Sequence, residues 1–187
     1  MRIIAGQAKG RTLVAPKDRG TRPATDRIRE ALFAILEPDL ADSRVLDLFA
    51  GAGTMGLEAL SRGAASATFV ERAAPAIAAL KRNVAATGSE DRAELVHANV
   101  LGFLDRVGAA QYDIVFVDPP FSDVAVMEAT LAHPNFARAL VPGATVIGRV
   151  MRKHQPRVPA NATVFRTKQI GEEDLLFLRY SVAAGGG

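Results

Sequence analysis

Two rhythms of apolar and polar positions divide the chain. Near the N-terminus, residues 2–5 and 11–15 are short β-prone runs separated by Gly6-Gln7-Ala8-Lys9-Gly10, a spacing that predicts a hairpin. Residues 16–23 read as a loop. Thr25 or Asp26 is placed to cap a helix in which Ile28, Ala31, Leu32, Ile35 and Leu36 share one face. Arg27, Arg29 and Glu30 occupy its other face, and Pro38 is its expected end.

From Arg44 onward, short and nearly continuous apolar runs alternate with helical periods. Strands are predicted over residues 44–49, 67–70, 93–97 and 113–117, with helices over 55–61, 75–87 and 100–107 between them. Continuous apolar runs fit strands buried on both faces, as in parallel sheets. Their alternation with helices predicts a doubly wound α/β domain. A helix near 124–131 precedes three more runs, 144–151, 163–168 and 175–180. The last two are too close for a helix between them and read as an antiparallel pair closing the sheet edge. The expected layout is a hairpin-and-helix extension over 1–38, an α/β domain over 39–183 and a flexible tail over 184–187.

Composition narrows the chemistry more than the fold. With 49% hydrophobic and 23% charged residues, the 187-residue chain has an ordinary globular balance and one domain's length. It has no cysteine, which excludes disulfide scaffolds, thiolate metal sites and thiolate nucleophiles. His97, His133 and His154 share no ligand spacing, so no metal is expected. The formal charge of +3 hides a segregated distribution. Residues 1–30 carry eight basic and three acidic side chains, 31–148 eight and fourteen, and 149–168 six and none. Basic blocks flanking an acidic middle are the footprint of a polyanion-binding protein. No apolar run reaches membrane-spanning length and the N-terminus has no signal-peptide pattern, so a cytoplasmic protein with no membrane partner is expected.

Two motifs carry chemistry. Asp47-Leu48-Phe49-Ala50-Gly51-Ala52-Gly53-Thr54-Met55-Gly56 contains G-x-G-x-x-G after a strand and before a helix, where backbone N–H groups and small residues admit a ligand closely. Glu71 ends the next strand, 20 residues after Gly51, where a carboxylate can accept bonds from both hydroxyls of an adenosine ribose. NAD and S-adenosyl-L-methionine both satisfy that geometry. Asp47 shifts the balance, because a carboxylate there repels a pyrophosphate and suits the ammonium of a methionine moiety. Asn99, after the third strand, is a candidate partner for the adenine edge.

The second motif is Asp118-Pro119-Pro120-Phe121 at the end of the fourth strand. Two prolines hold a stiff loop with carbonyls free to accept. The Asp118 carboxylate and the Pro119 carbonyl can accept both N–H bonds of a planar amino group while Phe121 stacks on its ring. Such acceptors favour the pyramidal amine that develops as it attacks an electrophile. Cysteine-dependent methylation at pyrimidine C5 is closed to this chain, whereas amino-nitrogen methylation needs no thiolate.

The pair DLFAGAGTMG and DPPF resembles the Rossmann-like S-adenosylmethionine-dependent amino-methyltransferases. RIIAGQAKGRTLVAP, RPATDRIREALF and GLEALSRGA resemble the bacterial 16S rRNA guanine-N2 methyltransferase family, over about residues 2–121. The resemblance implies methyl transfer to one guanine in 16S rRNA, within the small ribosomal subunit or an assembly intermediate, by a monomer. It implies that Asp47, Ala50, Gly51 and Gly53 hold the cofactor's methionine part, Glu71 its ribose and Asn99 its adenine. Asp118, Pro119, Pro120 and Phe121 become the catalytic loop, with Asp118 also against the cofactor. Lys9, Arg11, Arg22, Arg27 and Arg29 become RNA contacts, positioning the substrate without specifying it. The sequence departs from the family at Ala24, usually Thr, and at Arg149 and Arg152, where relatives can be acidic. Adenine-N6 or protein-glutamine methylation, an NAD-binding oxidoreductase and a non-catalytic RNA-binding module are the alternatives.

Overall fold

The computed structural model describes residues 1–16, 24–120 and 123–181. Arg22, Phe121 and the 184–187 tail lie outside the described residues. The elements run α1 (Asp26–Leu40), β1 (Arg44–Leu48), α2 (Thr54–Ser61), β2 (Ser66–Glu71), α3 (Ala74–Thr87), β3 (Ala93–His97), α4 (Val100–Leu104), β4 (Tyr112–Val117), α5 (Val124–Leu131), α6 (Phe136–Ala139), β5 (Leu140–Met151), β6 (Ala162–Ile170) and β7 (Glu173–Tyr180).

The strands form one sheet in the order β3-β2-β1-β4-β5-β7-β6. All pairs from β3 to β5 are parallel, and β7 enters antiparallel between β5 and β6. Strands β1, β2 and β4 are almost wholly buried because both of their faces are covered. One face packs Leu36, Leu57, Leu60 and Leu80 of α1–α3 against the sheet; the other packs Leu104, Met127, Leu131 and Phe136 of α4–α6. The order reverses between β1 and β4, and ligands of open α/β sheets bind outside the carboxyl ends of the strands at such a point.

The N-terminal segment closes the expected hairpin, as a short one. Arg2 bridges Thr12, Ile3 donates to the Arg11 carbonyl at 3.0 Å and Leu13 donates to the Met1 carbonyl at 2.8 Å. Ile4 and Ala5 donate to the Glu58 carboxylate at 2.8 and 3.0 Å, and Gln7 and Ala8 donate to the Ser61 carbonyl and hydroxyl at 2.8 and 2.9 Å. The segment is thus closed on itself and fastened to α2 as well. Helix α1 starts as predicted, with Thr25 accepting from the Ile28 N–H. It runs past the expected end at Pro38 to Leu40, although Pro38 has no N–H to donate to Ala34. Phe33, absent from the predicted apolar face, is fully buried and meets Phe116 edge-on at 5.9 Å.

Candidate functional site

The β1–α2 turn is a sharp left-handed corner. Phe49 takes φ 64°, an uncommon value for a side-chain-bearing residue, and Gly51 and Gly53 follow at φ 56° and 79°. The two glycines serve different ends. Space beside Gly51 is open, so only its backbone angle requires glycine; a Cβ on Gly53 would overlap the Leu80 side chain of α3. The turn is held from two sides. Ala50 donates to the Val70 carbonyl at 3.0 Å, and the fully buried Asn83 of α3 donates to the Ala52 carbonyl at 2.9 Å. Asn83 also exchanges bonds with both backbone groups of Val14, so one amide ties the glycine turn to the N-terminal segment. Its signal in the sequence is a polar residue on the apolar stripe of Leu80 and Val84.

Three carboxylates line the carboxyl edge of the central strands. Asp47 is 2% exposed and accepts the Gly56 N–H at 2.9 Å. Burial pushes its carboxyl up to about 7 against the lowering effect of that bond, and the charges of Asp118 and Glu71 add to the rise. Glu71 accepts from Gly51 at 2.9 Å with one oxygen and from Ala73 at 2.7 Å with the other. Each oxygen keeps a lone pair for a hydroxyl donor. Asn99 is exposed and caps α4 by accepting from the Leu101 N–H at 2.9 Å.

Asp118 follows β4, whose Val117 pairs with Leu48 of β1, so the Asp-Pro-Pro loop and the glycine turn leave neighbouring strands side by side. Burial raises the Asp118 carboxyl above its ordinary range while Arg149 of β5 draws it down. The Arg149 Nε donates to Asp118 at 2.8 Å and its Nη1 to Glu173 at 3.2 Å. Arg149 is 6% exposed. The basic C-terminal block therefore begins with a cation folded into the site, and Arg152 is bound to Asp174 and to the Gly171 carbonyl. Pro119, Pro120, Val124, Met127, Arg149 and His154 border a cleft beside the loop.

The expected RNA contacts separate. Lys9, Arg11 and Arg27 are exposed. Arg29 is not: it is 0% exposed, and its guanidinium donates to Asp26 at 2.7 Å, to the Arg2 carbonyl at 2.7 Å and to Glu58 at 3.4 Å. The assignment of Arg29 to the RNA surface is corrected, since a guanidinium enclosed by these partners cannot reach a phosphate.

A sheet that reverses at β1 and β4, and whose antiparallel β7 is inserted before the edge, is the Rossmann-like methyltransferase arrangement. The solved structure of the Escherichia coli protein yhhF shares it, with a TM-score of 0.85 at 37% identity over 97% of this chain and 98% of that one. The chain belongs to the family described as conserved hypothetical protein 95, whose model matches residues 1–179. The Escherichia coli K12 protein named ribosomal RNA small subunit methyltransferase D is 40% identical over 92% of this chain and 86% of its own length. The protein of the same name from Haemophilus influenzae is 36% identical over 91% of this chain and 89% of its own. No helix among the described residues is long and apolar enough to cross a membrane.

Proposed function

We propose that this protein, working as a monomer, transfers a methyl group from S-adenosyl-L-methionine to the exocyclic N2 of a guanine in 16S rRNA of the small ribosomal subunit. The observation that carries the reading is the Asp118-Pro119-Pro120 loop leaving β4 directly beside the glycine turn of β1. The names of the relatives direct it to small-subunit rRNA.

The donor set fits the cofactor. Two buried or half-buried carboxylates, Asp47 and Glu71, stand beside an open glycine backbone, which suits a ligand bearing cationic groups and a ribose rather than a pyrophosphate. When bound, S-adenosyl-L-methionine supplies an electrophilic sulfonium methyl. Asp47 faces its methionine end with Ala50, Gly51 and Gly53, Glu71 holds the ribose hydroxyls, and Asn99 lies by the adenine. Asp118 and the Pro119 carbonyl accept the two N–H bonds of guanine N2 and hold its lone pair towards the methyl carbon. Alignment of this kind contributes up to about 7–11 kcal/mol to a displacement. No strong base is needed, because the nitrogen becomes strongly acidic as the new N–C bond forms. Phe121 stacks on the base, and Lys9, Arg11, Arg22 and Arg27 meet phosphates.

Mass mapping of 16S rRNA from a strain lacking the gene tests the reading. One guanine should lose its methyl group, and purified enzyme should restore it on deproteinised rRNA, an assembly intermediate or the finished subunit, whichever is the substrate. An unchanged guanine methylation pattern would overturn it.

The raised Asp47 carboxyl makes cofactor binding depend on pH. Between the ordinary carboxyl value of 3.8 and its folded value of about 7, the native state keeps a proton that the unfolded chain has lost. This group's contribution to stability is therefore fullest below 3.8 and is lost as pH rises through 7. A cation docking against Asp47 favours the ionised form, so cofactor binding below pH 7 must release the proton. Affinity is expected to fall about tenfold per pH unit below 7 and to level off above it. Calorimetry at pH 6 in two buffers of different ionisation enthalpy should show close to one proton released, and none in Asp47→Asn. Equal affinity at pH 6 and pH 8 would place the cationic end elsewhere.

A further inference from the structure

Strand β6 forms the far edge of the sheet and is exposed along most of its length. Its register with β7 slips between Val164 and Arg166, and the extra residue in that bulge is Phe165. The Phe165 side chain is 48% exposed, and with Val14 it is one of two large hydrophobic side chains exposed among the described residues. Its ring stands edge-on to buried Phe177 at 6.3 Å, and the Arg179 guanidinium lies 4.8 Å over it. Arg166 pairs with Phe177 and Lys168 with Leu175, so the pleat puts both cations on the face that carries the Phe177 and Leu175 side chains. That is the face covered by α1–α3 elsewhere in the sheet. Arg166, Lys168 and Arg179 are all exposed, and none forms a salt bridge among the described residues.

The patch is aligned with the catalytic edge. Val117 pairs with Gly148, so Asp118 is level with Arg149; Arg149 pairs with Leu175, and Leu175 with Lys168. Asp118 and Lys168 therefore end one cross-strand row, three strand spacings or about 14 Å apart. Lysine and arginine on an edge strand can serve simply to deter pairing between sheets. An exposed aromatic ring among them works against that purpose. A ring with cations on both sides is instead the arrangement that single-stranded nucleic acid takes, with a base on the ring and phosphates on the charges.

We propose that Phe165, with Arg166, Lys168 and Arg179, is a second RNA-docking surface that holds an unpaired stretch of the rRNA substrate beside the catalytic loop. This rests on the reading of the chain as an rRNA methyltransferase. One base stacks on Phe165, sharing it with the Arg179 guanidinium, and the neighbouring phosphates meet Arg166 and Lys168. The strand then leads along the row towards Asp118.

Steady-state methylation of rRNA substrate from the deletion strain tests the surface, using wild type, Phe165→Ala and the pair Arg166→Glu with Lys168→Glu. Loss of the stacked base should raise KM by roughly 5- to 150-fold. kcat should stay within about twofold, and cofactor affinity should not change, because the patch touches neither. The log-affinity against log-salt slope of the double variant should be shallower by about 0.7 per lost phosphate contact. A wild-type enzyme that methylates no rRNA overturns the function and the surface together. Active wild type with variants of unchanged KM overturns the surface alone. So does a wild type that dimerises and that Phe165→Ala converts to monomer, since the ring would then be covered by a second copy.

Discussion

Asp118→Ala is expected to lower kcat by on the order of 10²–10³ while cofactor affinity stays within about tenfold. The size follows from what the carboxylate does. It is an acceptor fixed before reaction at the end of a rigid strand, held by a 2.8 Å bond from Arg149 and followed by two prolines. One bond from Arg149 leaves most of its acceptor capacity for an amine, since a carboxylate offers about four lone-pair sites. Alanine removes the acceptor and also leaves Arg149 paired only with the more distant Glu173 among its described carboxylate partners. Single-turnover methylation with enzyme in excess separates the lost chemistry from weakened RNA binding, and a melting curve checks folding. Asp118→Asn keeps one acceptor oxygen and should fall between wild type and alanine. Because burial raises the Asp118 carboxyl, the wild-type rate should also decline in acid from a pH above the usual carboxylate range. A near-wild-type single-turnover rate in Asp118→Ala would remove the loop from the mechanism.

The strands that carry this site are legible because burial on both faces writes itself as an uninterrupted apolar run, as in Ile114-Val115-Phe116-Val117. The antiparallel edge is legible from chain length alone, since residues 169–174 leave no room for a crossover helix. What escapes is whatever depends on a partner far along the chain. Arg29 lies on a helix with charged neighbours and reads as surface; only Glu58, 29 residues away, and the Arg2 carbonyl make it interior. The docking of the hairpin escapes for the same reason, because its Ile4, Ala5 and Ala8 donors go to α2 side chains more than 50 residues on. In the glycine motif the sequence shows that a tight turn forms, but not that Gly53 is there for Leu80 while Gly51 faces open space. Arg149 is visible as a departure from relatives, yet its meaning needs the register that sets it level with Asp118. Phe165 is exposed on an edge strand that is exposed along most of its length, and the bulge beside it, which brings Arg166 opposite Phe177, leaves no mark in an alternating run.

Glu58→Ala is the substitution expected to cost the most stability. Glu58 is fully buried and accepts from Ile4 and Ala5 at 2.8 and 3.0 Å, from Arg62 at 2.8 Å and from Arg29 at 3.4 Å. Removing it strands two backbone N–H groups and leaves the enclosed Arg29 with Asp26 as its one remaining carboxylate, itself partly exposed. Breaking a buried ion pair by deleting one partner costs about 3–5 kcal/mol. For a chain of this size that is a fall in Tm of roughly 6–20 °C. Arg29→Met should cost less, because Glu58 keeps Arg62 and both amides and the methionine restores part of the apolar volume. The loss should be local before it is global: amide exchange at Ile4 and Ala5 should quicken in Glu58→Ala below the melting transition, while the β1 and β4 amides stay protected. Since the N-terminal segment also reaches the glycine turn through Asn83, its release should weaken cofactor binding as well as lower Tm. A Glu58→Ala protein that melts within 2 °C of wild type, at ~2 °C or more per kcal/mol for this chain length, would show that water satisfies those donors and that the segment is not held by this carboxylate.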